Sequence, residues 1–200
     1  MAKDQLTTES SLKKPSKVFV IGGSAGALMV VLQIIQRLKL DMNLSGIVIL
    51  HRKASDENVL LDVLAARTEY EVREVEDKDE LLPGIIYIAP PDYHVLAERD
   101  GSLTLDDSEK VHYSRPSIDV SFESAADIYK TSLVGVLLSG ANADGVAGLE
   151  RIRACGGKVV IQDPESAEFI YMPKLAVAAV KPDLLLTDKN IESLIELLKN

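Results

Sequence analysis

The feature that most constrains the fold is a short apolar run that ends in a glycine-rich turn. Residues 18–21 (VFVI) are apolar and mostly β-branched, which is typical of a buried strand. The turn, residues 22–26 (GGSAG), is followed by apolar residues at 27, 31, 34, 35 and 38, which share one helical face. A strand that turns directly into a helix brings its turn residues to the helix N-terminus, where free N–H groups favour an anion. The stretch therefore predicts a strand–turn–helix unit with a polar site at the turn.

The turn admits three interpretations. The pattern Gly22-x-Ser24-x-Gly26 has the form of a nucleophile elbow, in which glycines relieve crowding around an exposed serine hydroxyl. A dinucleotide-binding loop would need G-x-G-x-x-G spacing and an acidic residue after the second strand. Here the glycines fall at 22, 23 and 26, and His51 follows that strand. The third interpretation is structural, with the glycines allowing a tight strand–helix junction, and this stretch alone leaves all three open.

Composition narrows the class of protein. The 200 residues suit one domain, and 46% hydrophobic with 26% charged residues is typical of a globular chain. The net charge of −9 and the lack of a basic stripe argue against nucleic-acid and anionic-membrane partners. The single cysteine fits a reducing cytoplasm, and the apolar runs are too short to span a bilayer. We expect residues 1–16 to be a disordered lead-in and residues 17–200 to form the folded domain, with no cofactor and no metal site.

Alternating patterns predict the fold class. Short apolar strands at 46–50, 133–138, 158–161 and 184–186 alternate with helical segments, which indicates a doubly wound α/β fold, mostly parallel, with helices on both sheet faces. Residues 70–113 have a different pattern, with Asp100-Gly101 at the tip of a predicted hairpin. This region is predicted to add an antiparallel extension at one sheet edge. Ser117 is a predicted N-cap of a helix that continues to about residue 129.

Three polar residues lie in the loops that follow predicted parallel strands. Ser24, His51 and Asp144 each lie in such a loop, and these loops share one edge of an open parallel sheet. A serine hydroxyl needs a nearby base to act as a nucleophile, histidine can supply it, and a carboxylate can fix the imidazole tautomer. The N–H of Ala25 is a candidate donor to an oxyanion. The topology thus predicts a Ser-His-Asp triad.

Several motifs in the same order resemble the catalytic domain of chemotaxis protein-glutamate methylesterases, the CheB family. They are residues 21–26 (IGGSAG), the strand that ends at His51, residues 87–94 (YIAPPDYH), 114–119 (SRPSID) and 138–145 (LSGANADG). The resemblance covers about residues 17–180. It implies a stand-alone catalytic domain without the family's usual receiver domain. It also implies hydrolysis of glutamate γ-methyl esters on chemoreceptor-type proteins, with methanol release, and often deamidation of glutamines.

The resemblance carries the catalytic roles onto Ser24, His51 and Asp144. We expect Ala25, Ala141 and Arg115 at the oxyanion site or substrate rim, with bracing of its own loop as the alternative role for Arg115. Three places depart from the usual family pattern: residues 24–27 read SAGA where Ser-Thr-Gly-Gly is usual, residues 52–53 (RK) replace an apolar residue and proline, and residues 141–142 (AN) replace Met-Gly. We expect these departures to affect which substrate is bound more than the reaction that is catalysed. Arg52 and Lys53 could meet an acidic protein surface or could have no specific role.

Other candidates are weaker. His94 competes as the base but precedes the hairpin rather than ending a parallel strand, His112 is expected to be a solvated loop residue, and Cys155 a structural thiol. The alternative function is a catalytically idle domain that binds a receptor or a signalling partner.

Overall fold

The computed structural model describes residues 14–52 and 59–199. Most of the predicted lead-in, together with Lys53 and the first residues of a helix predicted at 57–66, lies outside these ranges. The strands are β1 (Lys17–Gly23), β2 (Leu44–Leu50), β3 (Glu71–Glu74), β4 (Ile85–Ile88), β5 (His94–Ala97), β6 (Leu103–Asp106), β7 (Leu133–Leu137), β8 (Lys158–Gln162) and β9 (Leu184–Leu186). The helices are α1 (Leu28–Ile35), α2 (Val59–Ala65), α3 (Ile118–Tyr129), α4 (Val146–Ala154), α5 (Tyr171–Ala179) and α6 (Ile191–Lys199).

Within the described residues, seven strands form one sheet in the order β3-β4-β2-β1-β7-β8-β9. Every pairing in this sheet is parallel, and central β1 lies between β2 and β7, with Val18 opposite both Ser45 and Leu133. Parallel strands need crossover connections, which α1, α3, α4 and α5 supply. The predicted fold class, a doubly wound and mostly parallel α/β sheet, is confirmed.

The region of residues 70–113 differs from the prediction in two details. The strands β3 and β4 pair in parallel and belong to the main sheet, whereas antiparallel additions were expected. The hairpin of β5 and β6 is antiparallel, as predicted, but it forms a separate two-stranded sheet. It packs on α3, where Ser121 Oγ donates to the Val95 carbonyl at 2.8 Å and Ser124 Oγ accepts from the Ala97 N–H at 3.1 Å. Because α3 satisfies these backbone groups, the hairpin does not need the edge of the main sheet.

Helices cover both faces of the sheet. Alternate residues of β1 enter different cores: Val18 and Val20 pack with α3, α4 and α5, while Phe19 and Ile21 pack with α1, α2 and α6. All four side chains are at most 1% exposed. Strands buried on both faces explain why the sequence shows continuous apolar runs rather than alternation.

The sheet has a topological switch point between β1 and β7. The helix that follows β1 lies on one face, and the helix that follows β7 lies on the other. The two connections therefore diverge and leave a crevice at the carboxyl ends of these neighbouring strands, which is where open α/β sheets bind ligands. Ser24 follows β1 and the Asp144 loop follows β7, so both predicted residues lie at this crevice.

Candidate active site

Ser24 lies directly after the central strand, between the two neighbouring loops. Its N–H donates to the Ser139 carbonyl at 2.9 Å, and the Gly23 carbonyl accepts from the His51 N–H at 3.1 Å. These bonds join the turn to the ends of β7 and β2. The left-handed residue of the turn is Gly26, with φ +79°, where an added Cβ would lie 2.7 Å from Glu168 Cβ. Glycine is therefore required two residues after Ser24, and the backbone of Ser24 itself does not adopt a positive φ.

His51 and Asp144 are in direct contact. Their atoms Nε2 and Oδ2 are 2.8 Å apart, and Asp144 is fully buried. An ionised carboxylate only accepts hydrogen bonds, so Nε2 carries the ring proton in the neutral imidazole and Nδ1 is left as the acceptor. The Ser114 hydroxyl lies 3.4 Å from Nδ1. Among the described residues, no hydrogen bond joins the Ser24 hydroxyl to His51.

The N-terminus of α3 holds the Asp144 carboxylate. Oδ1 accepts from Ser117 Oγ at 2.8 Å and from the Asp119 N–H at 2.9 Å, and Oδ2 accepts from the Ile118 N–H at 2.7 Å. Burial by itself raises the pKa of the Asp144 carboxyl, but the hydrogen bonds from His51 and from the start of α3 outweigh burial and hold the pKa below its ordinary value. The helix N-terminus thus keeps a fully buried carboxylate charged.

Asn142 and Ser114 contact the His51–Asp144 pair, and the sequence did not predict either contact. Asn142 Nδ2 donates to Ser114 Oγ at 3.3 Å, and Asn142 Oδ1 accepts from the Asp144 N–H at 3.2 Å. Ser114 belongs to a motif that the sequence singled out, but its contact with His51 depends on a tight turn at residues 111–114, in which both central residues have positive φ. That turn chemistry has no glycine or asparagine to mark it, so no local pattern pointed to it.

The other two histidines have structural partners. His94 is fully buried, where Nδ1 accepts from the Ser117 N–H at 3.0 Å and Nε2 lies 3.1 Å from the Glu109 carbonyl. It supports the start of α3 and does not reach His51. His112 is exposed and lies in a turn, as predicted for a solvated loop residue, and its Nε2 is 3.4 Å from Asp119 Oδ2. Burial raises the pKa of Asp119 to about 6, opposed by a hydrogen bond from the Gly148 N–H and reinforced by the charge of Asp144.

The predicted rim residues take different positions. Ala25 and Ala141 are exposed, and within the described ranges neither backbone N–H has an acceptor. Arg115 braces its own loop, since its Nη1 donates to the carbonyls of Asp107 and Ser108. Arg52 is half-buried and pairs with Glu74, with 2.5 Å between Nη2 and Oε2.

A cavity of about 480 Å³ opens beside His51. Basic side chains and loop residues make up its wall: His51, Arg52, Asp92, Lys110, Tyr113, Ser114, Arg115 and Pro116. In the parts of the chain that the structure describes, no group of three or more His, Cys, Asp or Glu residues could hold a metal ion. No helix in these parts is long and apolar enough to cross a membrane.

The fold and the site define a class: a doubly wound α/β domain with a serine, a histidine and a buried aspartate at its switch point. Comparison with known proteins identifies the family. The sequence model of the CheB methylesterase family matches residues 19–195, and the chain therefore belongs to this family. The resemblance found in the sequence motifs is thereby confirmed.

Two relatives and one solved structure illustrate the match. A protein of Leptospira interrogans is 37% identical to this chain over 178 residues, which cover 89% of this chain and 92% of the relative. Its provisional name is protein-glutamate methylesterase/protein-glutamine glutaminase. The Thermotoga maritima protein of that name is 34% identical over 194 residues, covering 94% of this chain but 56% of the relative. The crystal structure of the Thermotoga maritima CheB methylesterase catalytic domain matches with a TM-score of 0.85 and 34% identity, covering 90% of this chain and 98% of the other.

Proposed function

We propose that residues 17–200 form a serine hydrolase domain that removes methyl groups from glutamate γ-methyl esters, and the amide nitrogen from some glutamines, on chemoreceptor-type proteins. Ser24 is the nucleophile, His51 the general base and Asp144 the carboxylate that orients the imidazole. The backbone N–H groups of Ala25 and Ala141 are the donors to the oxyanion. The names of the relatives and the composition support a cytoplasmic enzyme of this kind.

The proposed chemistry has two halves. The Ser24 hydroxyl attacks the ester carbonyl while its proton passes to His51 Nδ1, because Nε2 is engaged by Asp144. The tetrahedral intermediate loses methanol, which takes the proton from Nδ1, and an acyl-enzyme remains. Water then attacks the acyl group, giving up a proton to His51, and the glutamate carboxylate is released with Ser24 restored. With a glutamine substrate the leaving group is ammonia.

The observation that carries the proposal is the 2.8 Å contact between His51 and a buried, charged Asp144 beside the Ser24 turn. In serine proteases the aspartate bonds Nδ1 and the serine faces Nε2. Here the two ring nitrogens exchange these roles, since Nε2 contacts the Asp144 carboxylate and Nδ1 is left for the serine. Such a pair supplies an oriented base at the place where the chain turns at Ser24.

The test uses a fluorophosphonate probe and methylated receptor as substrate. We expect the probe to label Ser24 in the wild-type protein, and Ser24→Ala to lose both labelling and methanol release while it keeps its melting temperature. Ser193→Ala, an exposed serine of α6, is the matched control and should behave as wild type. Methanol release by Ser24→Ala equal to that of wild type would rule out Ser24 as the nucleophile.

The alternative, a catalytically idle binding domain, rests on one observation: the Ser24 hydroxyl has no hydrogen bond to His51 in the described structure. Hydrogen bonds between catalytic groups often form only when substrate is bound. Absence of labelling at Ser24 in a folded wild-type protein would favour the idle domain.

A further inference from the structure

The cavity beside His51 is basic in a protein that is acidic overall. Its wall carries the cations Arg52, Lys110 and Arg115 and a single acid, Asp92. The whole chain has a net charge of −9. Positive side chains gathered around one concave site against the sign of the whole molecule concentrate an attractive field for an anion at that site.

The two arginines are held in place yet keep unused donors. Arg52 is paired with Glu74, and Arg115 donates to two carbonyls of its own loop. Each has a buried Nε with no hydrogen-bond partner among the described residues. Lys110 is exposed, and within those residues it has no hydrogen bond or ion pair. Guanidinium groups fixed in the cavity wall, next to a lysine ammonium group that has no ion pair in the described structure, are suited to donate hydrogen bonds to carboxylate oxygens.

We propose that this cavity is a carboxylate-binding subsite that receives an acidic side chain neighbouring the scissile ester in the substrate polypeptide. The proposal rests on the proposed function, since it assigns the acyl chain to the side of Ser24 and the neighbouring acid to the basic side of His51. His51 and Ser114 belong to both the catalytic constellation and the cavity wall, so one polypeptide can reach both. The volume of about 480 Å³ is ample for one carboxylate side chain and bound water.

A carboxylate could come from two sources: an acidic neighbour in the substrate or the glutamate that the reaction itself produces. Two peptides separate them. Each contains one glutamate γ-methyl ester, and the neighbouring residue is glutamate in one peptide and glutamine in the other. The hydrolysed form of each peptide, which carries the product carboxylate, serves as the inhibitor.

We expect KM to be about fivefold lower for the peptide with neighbouring glutamate, which is the size of one favourable charge pair near a surface. The preference should weaken as salt rises. Lys110→Glu should abolish or invert the preference. Lys181→Glu reverses an exposed lysine that precedes β9 at the opposite sheet edge, and it is the matched control that should keep the preference.

Equal KM values for the two peptides in wild type, or a preference that survives Lys110→Glu, would overturn the subsite. Equal inhibition by the two product peptides would assign the cavity to the product and would also overturn it. If wild type hydrolyses neither peptide, methanol release from methylated receptor decides whether the proposed function stands. The subsite is then decided by adding glutarate and following the His51 ring resonances by NMR. A saturable shift in wild type that Lys110→Glu loses supports the subsite, and no shift contradicts it.

Discussion

Replacing Asp144 by asparagine tests the site most directly, because the substitution keeps the shape and removes the charge. The carboxylate accepts four hydrogen bonds, from His51, Ser117, the Ile118 N–H and the Asp119 N–H. An amide has one oxygen and one NH₂ group. If the NH₂ replaces Oδ1, Ser117 can rotate to accept but the Asp119 N–H loses its acceptor. If it replaces Oδ2, His51 can change tautomer but the Ile118 N–H loses its acceptor.

The magnitude follows from this geometry. In either orientation one buried backbone N–H is left without a partner, which costs about 1–3 kcal/mol. The bonds that remain are no longer made to a charged group, and this lowers their contribution by about 1 kcal/mol in total once the relief of burying a charge is subtracted. We therefore expect Asp144→Asn to lower the free energy of unfolding by about 3 kcal/mol.

The same change should remove activity beyond its effect on stability. With the amide NH₂ facing Nε2, the ring proton moves to Nδ1, which is the nitrogen that must accept the proton of Ser24. We expect kcat to fall about 10⁴-fold, the size typical of removing the orienting carboxylate of a triad.

The lowered pKa of Asp144 determines how its contribution to stability changes with pH. The pKa of Asp144 is lowered in the folded protein, so its contribution to stability is present above its ordinary value of 3.8 and is lost as the pH falls through the lower, folded value. Because the charge of Asp144 also raises the pKa of Asp119, the gap between wild type and Asp144→Asn should narrow as the pH rises through about 6 and stay constant from about pH 7 to pH 8. It should narrow in acid as well, where Asp144 itself takes up a proton.

Urea denaturation at pH 7 measures the gap, and methanol release measures activity. Asp106→Asn is the matched control, since that carboxylate lies at the end of the hairpin, outside the site, and among the described residues is hydrogen-bonded only to Ser108. Its urea midpoint should lie close to that of wild type. A stability loss below about 1 kcal/mol in Asp144→Asn would contradict the role assigned to the α3 N-terminus.

Three further predictions follow from neighbouring contacts. Burial raises the pKa of Asp119 to about 6, so wild type loses stability as the pH rises through 6, whereas Asp119→Asn does not. The free energy of unfolding of Asp119→Asn, relative to wild type, should therefore rise by about 2 kcal/mol between pH 4 and pH 7.5. Urea denaturation measures this difference, and a difference that does not change with pH would contradict the prediction. Ser114→Ala removes the hydroxyl that lies 3.4 Å from His51 Nδ1 and with it a contact that positions the ring, so kcat should fall about fivefold with KM unchanged. Ser114→Thr should restore kcat, and a wild-type kcat in Ser114→Ala would refute the positioning role. Gly26→Ala forces a side chain into a left-handed residue and against Glu168, and should lower the free energy of unfolding by about 2 kcal/mol, with wild-type stability as the refuting result.

The sequence predicts the inner strands of the main sheet well because both of their faces are buried. Residues 184–186 were predicted as a strand and are β9, and Ser117 caps α3 as predicted, accepting from the Val120 N–H at 3.4 Å. The hairpin was placed wrongly relative to the sheet because its pattern fixes the pairing of its two strands and not the surface on which they pack. Strand order likewise depends on contacts far apart in sequence.

The candidate site was predictable only where a polar residue lies in the loop that follows a parallel strand. That rule brings Ser24, His51 and Asp144 to one edge, and the 2.8 Å contact of the last two agrees with it. It says nothing of Ser114, which reaches His51 from a turn with no strand before it. It also says nothing of His112, whose contact with Asp119 depends on the same turn.

The position of α3 explains why a carboxylate can remain charged in the core of this site. Its N-terminus follows the hairpin rather than a strand of the main sheet, so the usual βα rule does not bring it to the carboxyl edge. It is fixed there by His94, whose Nδ1 accepts the Ser117 N–H, and by Gly148 of α4, whose N–H donates to Asp119 at 2.7 Å. Three donors at the start of α3 then converge on Asp144 and replace the water that burial removes. In the proposed reaction the hairpin and α3 are therefore part of the catalytic apparatus, because without them the histidine would face an unsolvated acid that takes up a proton instead of orienting the ring.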